Sequence, residues 1–366
     1  MPTHYRGAVA RAAHGPLSIE DIPLREPVGD EVVIEVTACG LCHSDVHFMH
    51  GTSGTDFPYL VGHEVAGRVA ELGPEASGLS VGDSVVVAPM VACGRCRQCA
   101  AGRPRACPDR LPRRPKVLLG DGVEATPVLG VGGLAERVIV PARQAVAIDP
   151  RVPPQVAALL GCGVPSGFGA AVNTAAIGPA DDVVILGCGG VGVAAVAGAA
   201  YAGARRIVAV DVNAAKLDAA RRFGATDVVD ASREETVARV RELTDGRGAD
   251  VVLDAVGGPA SFTTANQLRG PGSRLVVVGA PRQGDTVELP LRHLFLTGGL
   301  IQVSIWGDCE AARDLPLLAG LFLDGRLPLE EYVSGAYPLD KAQAGYDRLL
   351  SGEALRGVVR MRRCLD

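Results

Sequence analysis

The chain has no uninterrupted apolar run long enough to cross a bilayer; residues 193–202 are apolar but short and rich in alanine and glycine. It has no excess of positive charge either. With 36 Lys and Arg against 41 Asp and Glu, the net charge of −5 argues against nucleic acid or an anionic membrane surface as a partner. The opening residues Met1-Pro2-Thr3-His4-Tyr5-Arg6-Gly7 lack the apolar core of a secretory signal, so the expected location is the cytoplasm. Internal repeats and low-complexity tracts are also missing, which excludes a solenoid or a disordered scaffold. What is present is ordinary globular composition, 48% hydrophobic and 21% charged, over 366 residues. That is longer than one hydrophobic core usually grows, and two domains are expected.

Ten cysteines in a chain of this size point to metal or catalysis rather than to a disulfide framework, and four of them crowd between Cys93 and Cys107. Cys93, Cys96 and Cys99 stand at C-x-x-C steps, with Cys107 eight residues further on. Such a loop can wrap one tetrahedral zinc completely, leaving no open position, and a closed thiolate site holds structure. An iron–sulfur cluster is compatible with four thiolates, but its ligands come in a different step pattern and nothing else here indicates electron transfer.

Residues 1–150 read as β-rich. Alternating apolar runs at 32–36, 65–69, 85–88 and 137–140 are separated by turn signals such as Val81-Gly82-Asp83 and Leu72-Gly73-Pro74. From residue 155 the character changes. Apolar strands at 183–186, 207–210, 251–256 and 275–278 alternate with helical stretches at 190–202, 214–223, 233–243 and 260–268, the pattern of a parallel sheet with crossover helices. Past residue 305 the alternation breaks, and residues 356–361 read as a strand returning to the first domain.

Within the parallel region, Gly187-Cys188-Gly189-Gly190-Val191-Gly192 falls between a strand and a helix, and the next strand ends at Asp211, about 20 residues on. The glycines let a pyrophosphate approach the backbone at a helix N-terminus, whose dipole favours its charge. Asp211 can accept hydrogen bonds from ribose hydroxyls and would repel a 2′-phosphate, so NAD is favoured over NADP.

The densest chemistry lies in Ala38-Cys39-Gly40-Leu41-Cys42-His43-Ser44-Asp45-Val46-His47. Cys42 can bind a metal, Ser44 can pass a proton, Asp45 can orient a neighbouring ligand, and His47 can release the proton to water. A histidine follows in Gly62-His63-Glu64, and a further thiol in Gly161-Cys162-Gly163, where small residues let the backbone approach closely. Cys42, His63 and Cys162 together would give a three-ligand zinc with one open position. Asp45 is then the expected partner of the His63 ring, and Glu64 the group that tunes charge around the metal.

With these motifs in this order, the chain resembles the zinc-containing medium-chain alcohol dehydrogenases over essentially its whole length. The resemblance implies a GroES-like, β-rich catalytic domain of residues 1–155 and 305–366, and a doubly wound Rossmann coenzyme domain of residues 156–304, with the active site in the cleft between them. It implies a substrate hydroxyl at the open zinc position, its proton leaving through Ser44 and the nicotinamide ribose to His47 and solvent, and hydride passing to NAD. By the same resemblance Lys216 contacts the adenosine ribose and Arg356 the pyrophosphate, while Val256, Val278 and Ala280 line the nicotinamide site. His43 stands where many relatives carry an arginine for the pyrophosphate. Met90 and Trp306 are candidates for the substrate pocket, and Cys39, Cys188, Cys309 and Cys364 match no ligand position.

Residues 160–164, 306–309 and 325–329 look most similar to the thiol-dependent formaldehyde dehydrogenases, the mycothiol-using members above all. The implied substrate is a primary alcohol or a hemithioacetal, with the matching aldehyde in the reverse direction. Two other readings stay open: a relative that reduces an activated C=C or C=N bond, and a non-catalytic NAD-binding protein. The apolar run at residues 300–305 reads as an edge strand, and in this family a strand there pairs with its symmetry mate, which implies a homodimer or a dimer of dimers.

Overall fold

The computed structural model describes residues 4–110, 115–352 and 354–361. The chain divides into two compact units, Met1–Cys162 with Glu310–Asp366, and Gly163–Cys309. Against the sequence-based boundaries, the changes of unit fall a few residues later. Cys162 stays with the first unit because Gly161 is pressed against the backbone of Glu64, where a Cβ would come within 2.8 Å of the Glu64 Cα. The Gly307-Asp308-Cys309 segment stays with the second, since the Cys309 Sγ lies 3.5 Å from the Pro165 carbonyl.

The first unit is built on the strand Glu31–Gly40, which pairs antiparallel with Glu64–Leu72, Arg137–Pro141 and Arg356–Arg360 inside a seven-stranded sheet. Its alternation decides its register: Val32, Ile34 and Val36 face a core shared with Val65, Val69, Val85, Val87, Val138 and Val140. A smaller sheet carries His4–Ala10 between Leu17–Pro23 and Tyr59–Leu60, followed by Glu124–Pro127 and Val117–Leu118. The C-terminal strand Arg356–Arg360 closes the unit by pairing Val359 with Cys39.

The second unit is a six-stranded, all-parallel sheet. From one edge its order is Asp227–Asp230, Arg206–Asp211, Asp182–Leu186, Ala249–Asp254, Arg269–Val277 and Leu300–Val303. Counted in chain order this is 3-2-1-4-5-6, the doubly wound arrangement, and the strand order reverses at Asp182–Leu186. Near-continuous Val, Ile and Leu in the inner strands suits a sheet buried on both faces. The far strand, Leu300–Val303, has one free edge, and its Leu300 and Val303 are 58% and 61% exposed.

Candidate active site

The strand Glu31–Gly40 delivers the chain to Cys42, which caps the helix His43–Met49. At the third helical position Asp45 turns back, its Oδ2 accepting the Cys42 N–H at 3.4 Å. Asp45 is fully buried, and its Oδ1 accepts two further bonds, from the Gly62 N–H at 3.1 Å and from His63 Nδ1 at 2.8 Å. Gly62 has φ +93°, a left-handed conformation that sets His63 at the head of the strand Glu64–Leu72. With Nδ1 donating to Asp45, the other ring nitrogen, Nε2, is buried and makes no hydrogen bond. A buried imidazole nitrogen with a lone pair and no proton donor is a metal ligand in waiting.

The ligand atoms of Cys42, His63, Glu64 and Cys162 all lie within 4.8 Å of one another. The Cys42 thiol sits well below its ordinary value. Its hydrogen bond from Cys162 contributes most, burial opposes it, and the positive charge of Arg356 adds to the lowering. That same bond, together with burial, pushes the Cys162 thiol up. Thiolate is the form that binds metal, so Cys42 is biased toward its ligating state. Two sulfurs and one imidazole nitrogen fit a zinc ion with a fourth position open. Glu64 stands beside them with its carboxyl pushed up to about 7, burial raising it and Arg356 opposing. Arg356, itself buried, places Nη1 3.1 Å from Glu64 Oε1 and 3.2 Å from the Leu41 carbonyl. The structure engages Arg356 with Glu64 beside the cysteine–histidine cluster.

Ser44 and His47 lie three residues apart on one face of the helix His43–Met49, both half-buried, while His43 is exposed in the first turn. His47 Nδ1 is 3.2 Å from Thr52 Oγ1, and that hydroxyl donates its proton to the His47 carbonyl at 3.0 Å. Thr52 can then only accept from the ring, which puts the ring proton on Nδ1 and leaves Nε2 as the basic atom. Sequence reasoning missed Thr52, which has no signature beyond lying in the turn after the helix.

The four clustered cysteines form a separate lobe. Cys93, Cys96, Cys99 and Cys107 bring their sulfurs within 4.8 Å of one another, with Cys96 Sγ 3.5 Å from Cys99 Sγ and 3.8 Å from Cys107 Sγ. The short helix Arg97–Ala100 starts at Cys96. Backbone N–H groups, that of Arg95 first, draw the Cys93 thiol down to about 6. Four sulfurs in this packing fit a closed tetrahedral zinc.

In the second unit, the glycine turn follows the strand Asp182–Leu186 and opens the helix Gly190–Tyr201. Gly187 has φ +83°, and a Cβ at Gly192 would lie 1.7 Å from the Gly187 carbonyl oxygen, so only glycine lets the turn close on the helix. Gly189, by contrast, has nothing within 4 Å of where its Cβ would be, an open approach for a pyrophosphate beside Gly190 and Val191. Asp211 ends its strand, with Oδ2 accepting the Cys188 N–H at 2.7 Å and Oδ1 the Asn213 N–H at 2.9 Å. This ties the acidic residue to the turn, and the remaining lone pairs of its carboxylate fit ribose hydroxyls. Lys216 stands in the first turn of the helix Ala214–Arg222. Val256 is 57% exposed just past the strand Ala249–Asp254, and Val278 and Ala280 follow the strand Arg269–Val277, all at carboxyl ends of the sheet where doubly wound folds bind ligands. Met90 is half-buried in the first unit and Trp306 buried in the second. Cys39, Cys188 and Cys309 lie outside both metal clusters, and Cys364 lies outside the described residues.

Residues 29–150 match the family of the alcohol dehydrogenase GroES-like domain, and residues 190–321 that of the zinc-binding dehydrogenases. The chain is 36% identical to alcohol dehydrogenase B of Mycobacterium tuberculosis strain H37Rv over 367 residues, 97% of this chain and 98% of that one. The chain belongs to the zinc-containing medium-chain alcohol dehydrogenases. This dehydrogenase is also 32% identical to the Schizosaccharomyces pombe protein described as "Probable S-(hydroxymethyl)glutathione dehydrogenase 1", over 97% of each chain. Among solved structures it is similar to benzyl alcohol dehydrogenase from Acinetobacter calcoaceticus, with a TM-score of 0.92 and 28% identity over 98% of this chain and 100% of that one. It is accordingly a zinc- and NAD-dependent oxidoreductase acting on alcohols and aldehydes, and no helix among its described residues is long and apolar enough to cross a membrane.

Proposed function

We propose that this dehydrogenase oxidises a primary alcohol to its aldehyde, or runs the reverse reaction, at the Cys42–His63–Cys162 cluster. The observation that carries the assignment is the buried His63 Nε2, oriented by Asp45 and without a hydrogen-bond partner amid two sulfurs. Zinc bound there would supply Lewis-acid polarisation of the substrate oxygen, and bound NAD would supply the hydride acceptor. Cys42, His63 and Cys162 would hold the metal, and Asp45 fixes the imidazole. The buried Glu64–Arg356 pair sets the charge next to it. Ser44 takes the proton of the substrate hydroxyl, and His47, basic at Nε2, hands it to solvent. In the second unit Gly187, Gly189, Gly190, Val191 and Gly192 would cradle the pyrophosphate and Asp211 would hold the adenosine ribose, with Lys216 as a further contact.

A hemithioacetal, the adduct of an aldehyde with a low-molecular-weight thiol, is the second reading. The likeness to a protein named for S-(hydroxymethyl)glutathione supports it. The deciding experiment is a substrate panel with NAD reduction as readout, pairing simple primary alcohols with formaldehyde alone, formaldehyde plus glutathione and formaldehyde plus mycothiol. Turnover of simple alcohols without thiol supports the first reading; turnover only in the presence of a thiol replaces it with the second. No hydride transfer from any of them, in protein carrying two zinc ions per chain, overturns both.

The assembly we propose is a homodimer or a dimer of dimers. The free edge of Leu300–Val303 and the neighbouring exposed Leu291, Phe295 and Leu296, the last three 80%, 86% and 65% exposed, form an apolar surface that a second copy would cover.

A further inference from the structure

Within the first unit, away from both cysteine clusters, a cavity of about 260 Å³ opens where the smaller sheet meets the strand Arg137–Pro141. Tyr5, Leu60, Val131 and Val138 supply apolar wall, and all four are buried. No acidic side chain lines it among the described residues, but three cationic ones do. Arg25 is already engaged by both carboxylate oxygens of Glu31, at 2.6 and 2.7 Å. Lys116 is exposed at the mouth and makes no described hydrogen bond or ion pair. Arg137 is only 8% exposed; its Nη1 forms an ion pair with Glu71 Oε1 at 3.8 Å but has no hydrogen-bond partner.

A buried guanidinium nitrogen left without an acceptor costs free energy unless a ligand completes it. Here Arg137 lines a mostly apolar cavity that has an unengaged cation, Lys116, at its opening, the composition of a small-molecule site rather than of a packing defect. We propose that this cavity binds an apolar monocarboxylate, its carboxylate between Arg137 and Lys116 and its hydrocarbon body against Leu60, Val131 and Val138. Size limits the ligand. An apolar cavity of roughly 150 Å³ holds benzene, so this one takes a single ring with a short acid arm, or a medium-length alkyl chain. No residue of the zinc clusters or the glycine turn lines it, so occupancy is independent of the chemistry assigned above.

The test is calorimetric titration of the zinc-loaded, NAD-bound enzyme with 3-phenylpropanoate and with octanoate, against 3-phenylpropanamide as the uncharged control. A carboxylate can also reach the active-site zinc, so the variants decide. Lys116→Glu, at an exposed position, should weaken one carboxylate site per chain at least about tenfold and leave kcat/KM for an alcohol unchanged, with Lys116→Arg restoring binding. Ile139→Phe, at a partly buried lining position on the same strand face as Arg137, should abolish that site by filling the cavity. Absence of carboxylate binding up to millimolar concentration overturns the proposal. So does binding that Lys116→Glu leaves unchanged, or amide binding as tight as that of the acid.

Discussion

Asp45 Oδ1 and His63 Nδ1 are 2.8 Å apart with both side chains wholly shielded from solvent. This carboxylate decides which imidazole nitrogen is offered to the metal, and it is the same group that holds the Cys42 and Gly62 backbone N–H groups. Asp45→Asn keeps the shape and removes the charge. Outer contacts of this kind typically account for 10–100-fold in metal affinity, on the order of 1–3 kcal/mol. The variant should lose active-site zinc to a chelator at correspondingly lower concentration while retaining the lobe zinc, as measured by metal analysis after graded chelation. Equal retention at both sites would contradict the assignment.

Thr52 should matter through His47 alone. Thr52→Val removes the hydroxyl that fixes the ring proton on Nδ1, and kcat is expected to fall several-fold, with the loss changing across the pH–rate profile. Thr52→Ser should restore the profile. His47→Gln should be worse than Thr52→Val, since it removes the base itself. A uniform, pH-independent loss in Thr52→Val that serine does not repair would reduce Thr52 to a turn residue.

The four-cysteine lobe should behave as structure. Cys96→Ser is expected to lower zinc from two ions per chain to one and to lower the thermal midpoint by several degrees, an effect of a few kcal/mol. Activity per folded molecule should survive at low temperature. Immediate loss of turnover with the fold intact would assign the lobe a chemical role.

Asp211 both braces the glycine turn and carries the charge that opposes a 2′-phosphate. Asp211→Asn should keep much of the bracing geometry, and the preference for NAD over NADP should narrow by about tenfold or more, read as the ratio of kcat/KM values. An unchanged ratio would move the discrimination elsewhere.

Ile301→Lys on the exposed edge strand should shift the sedimenting species toward monomer without disturbing the zinc content, because lysine on an edge opposes strand pairing. The same sedimentation profile in variant and parent would place the subunit contact on another surface.

The chemistry was legible because its residues come as short motifs whose spacing reflects their geometry: Cys42 and Asp45 in one helical turn, Gly62 before His63, Gly187 through Gly192 between strand and helix. The long valine-rich strands were legible for the same reason. The strand Asp227–Asp230 was not, since two valines between aspartates carry no periodic signal, and its partner Arg206–Asp211 imposes the extended state. The strand Arg269–Val277 begins earlier than its apolar part because Arg269 pairs with Ala249 across a bulge, although Gly270-Pro271-Gly272 reads as a turn. Thr52 and the Arg356–Glu64 contact were invisible, because each depends on a neighbour that only the folded chain supplies.

The pairing of Arg356–Arg360 with the strand leading to Cys42 has a consequence for biosynthesis. The segment Gly163–Cys309 is contiguous and can fold while the ribosome is still working. The zinc-bearing unit cannot, because the arginine beside its metal cluster is bonded to a residue 315 positions upstream. Nascent chains should therefore hold coenzyme before they hold catalytic metal, and losing the strand Arg356–Arg360 would leave a protein that grips NAD and does nothing with it.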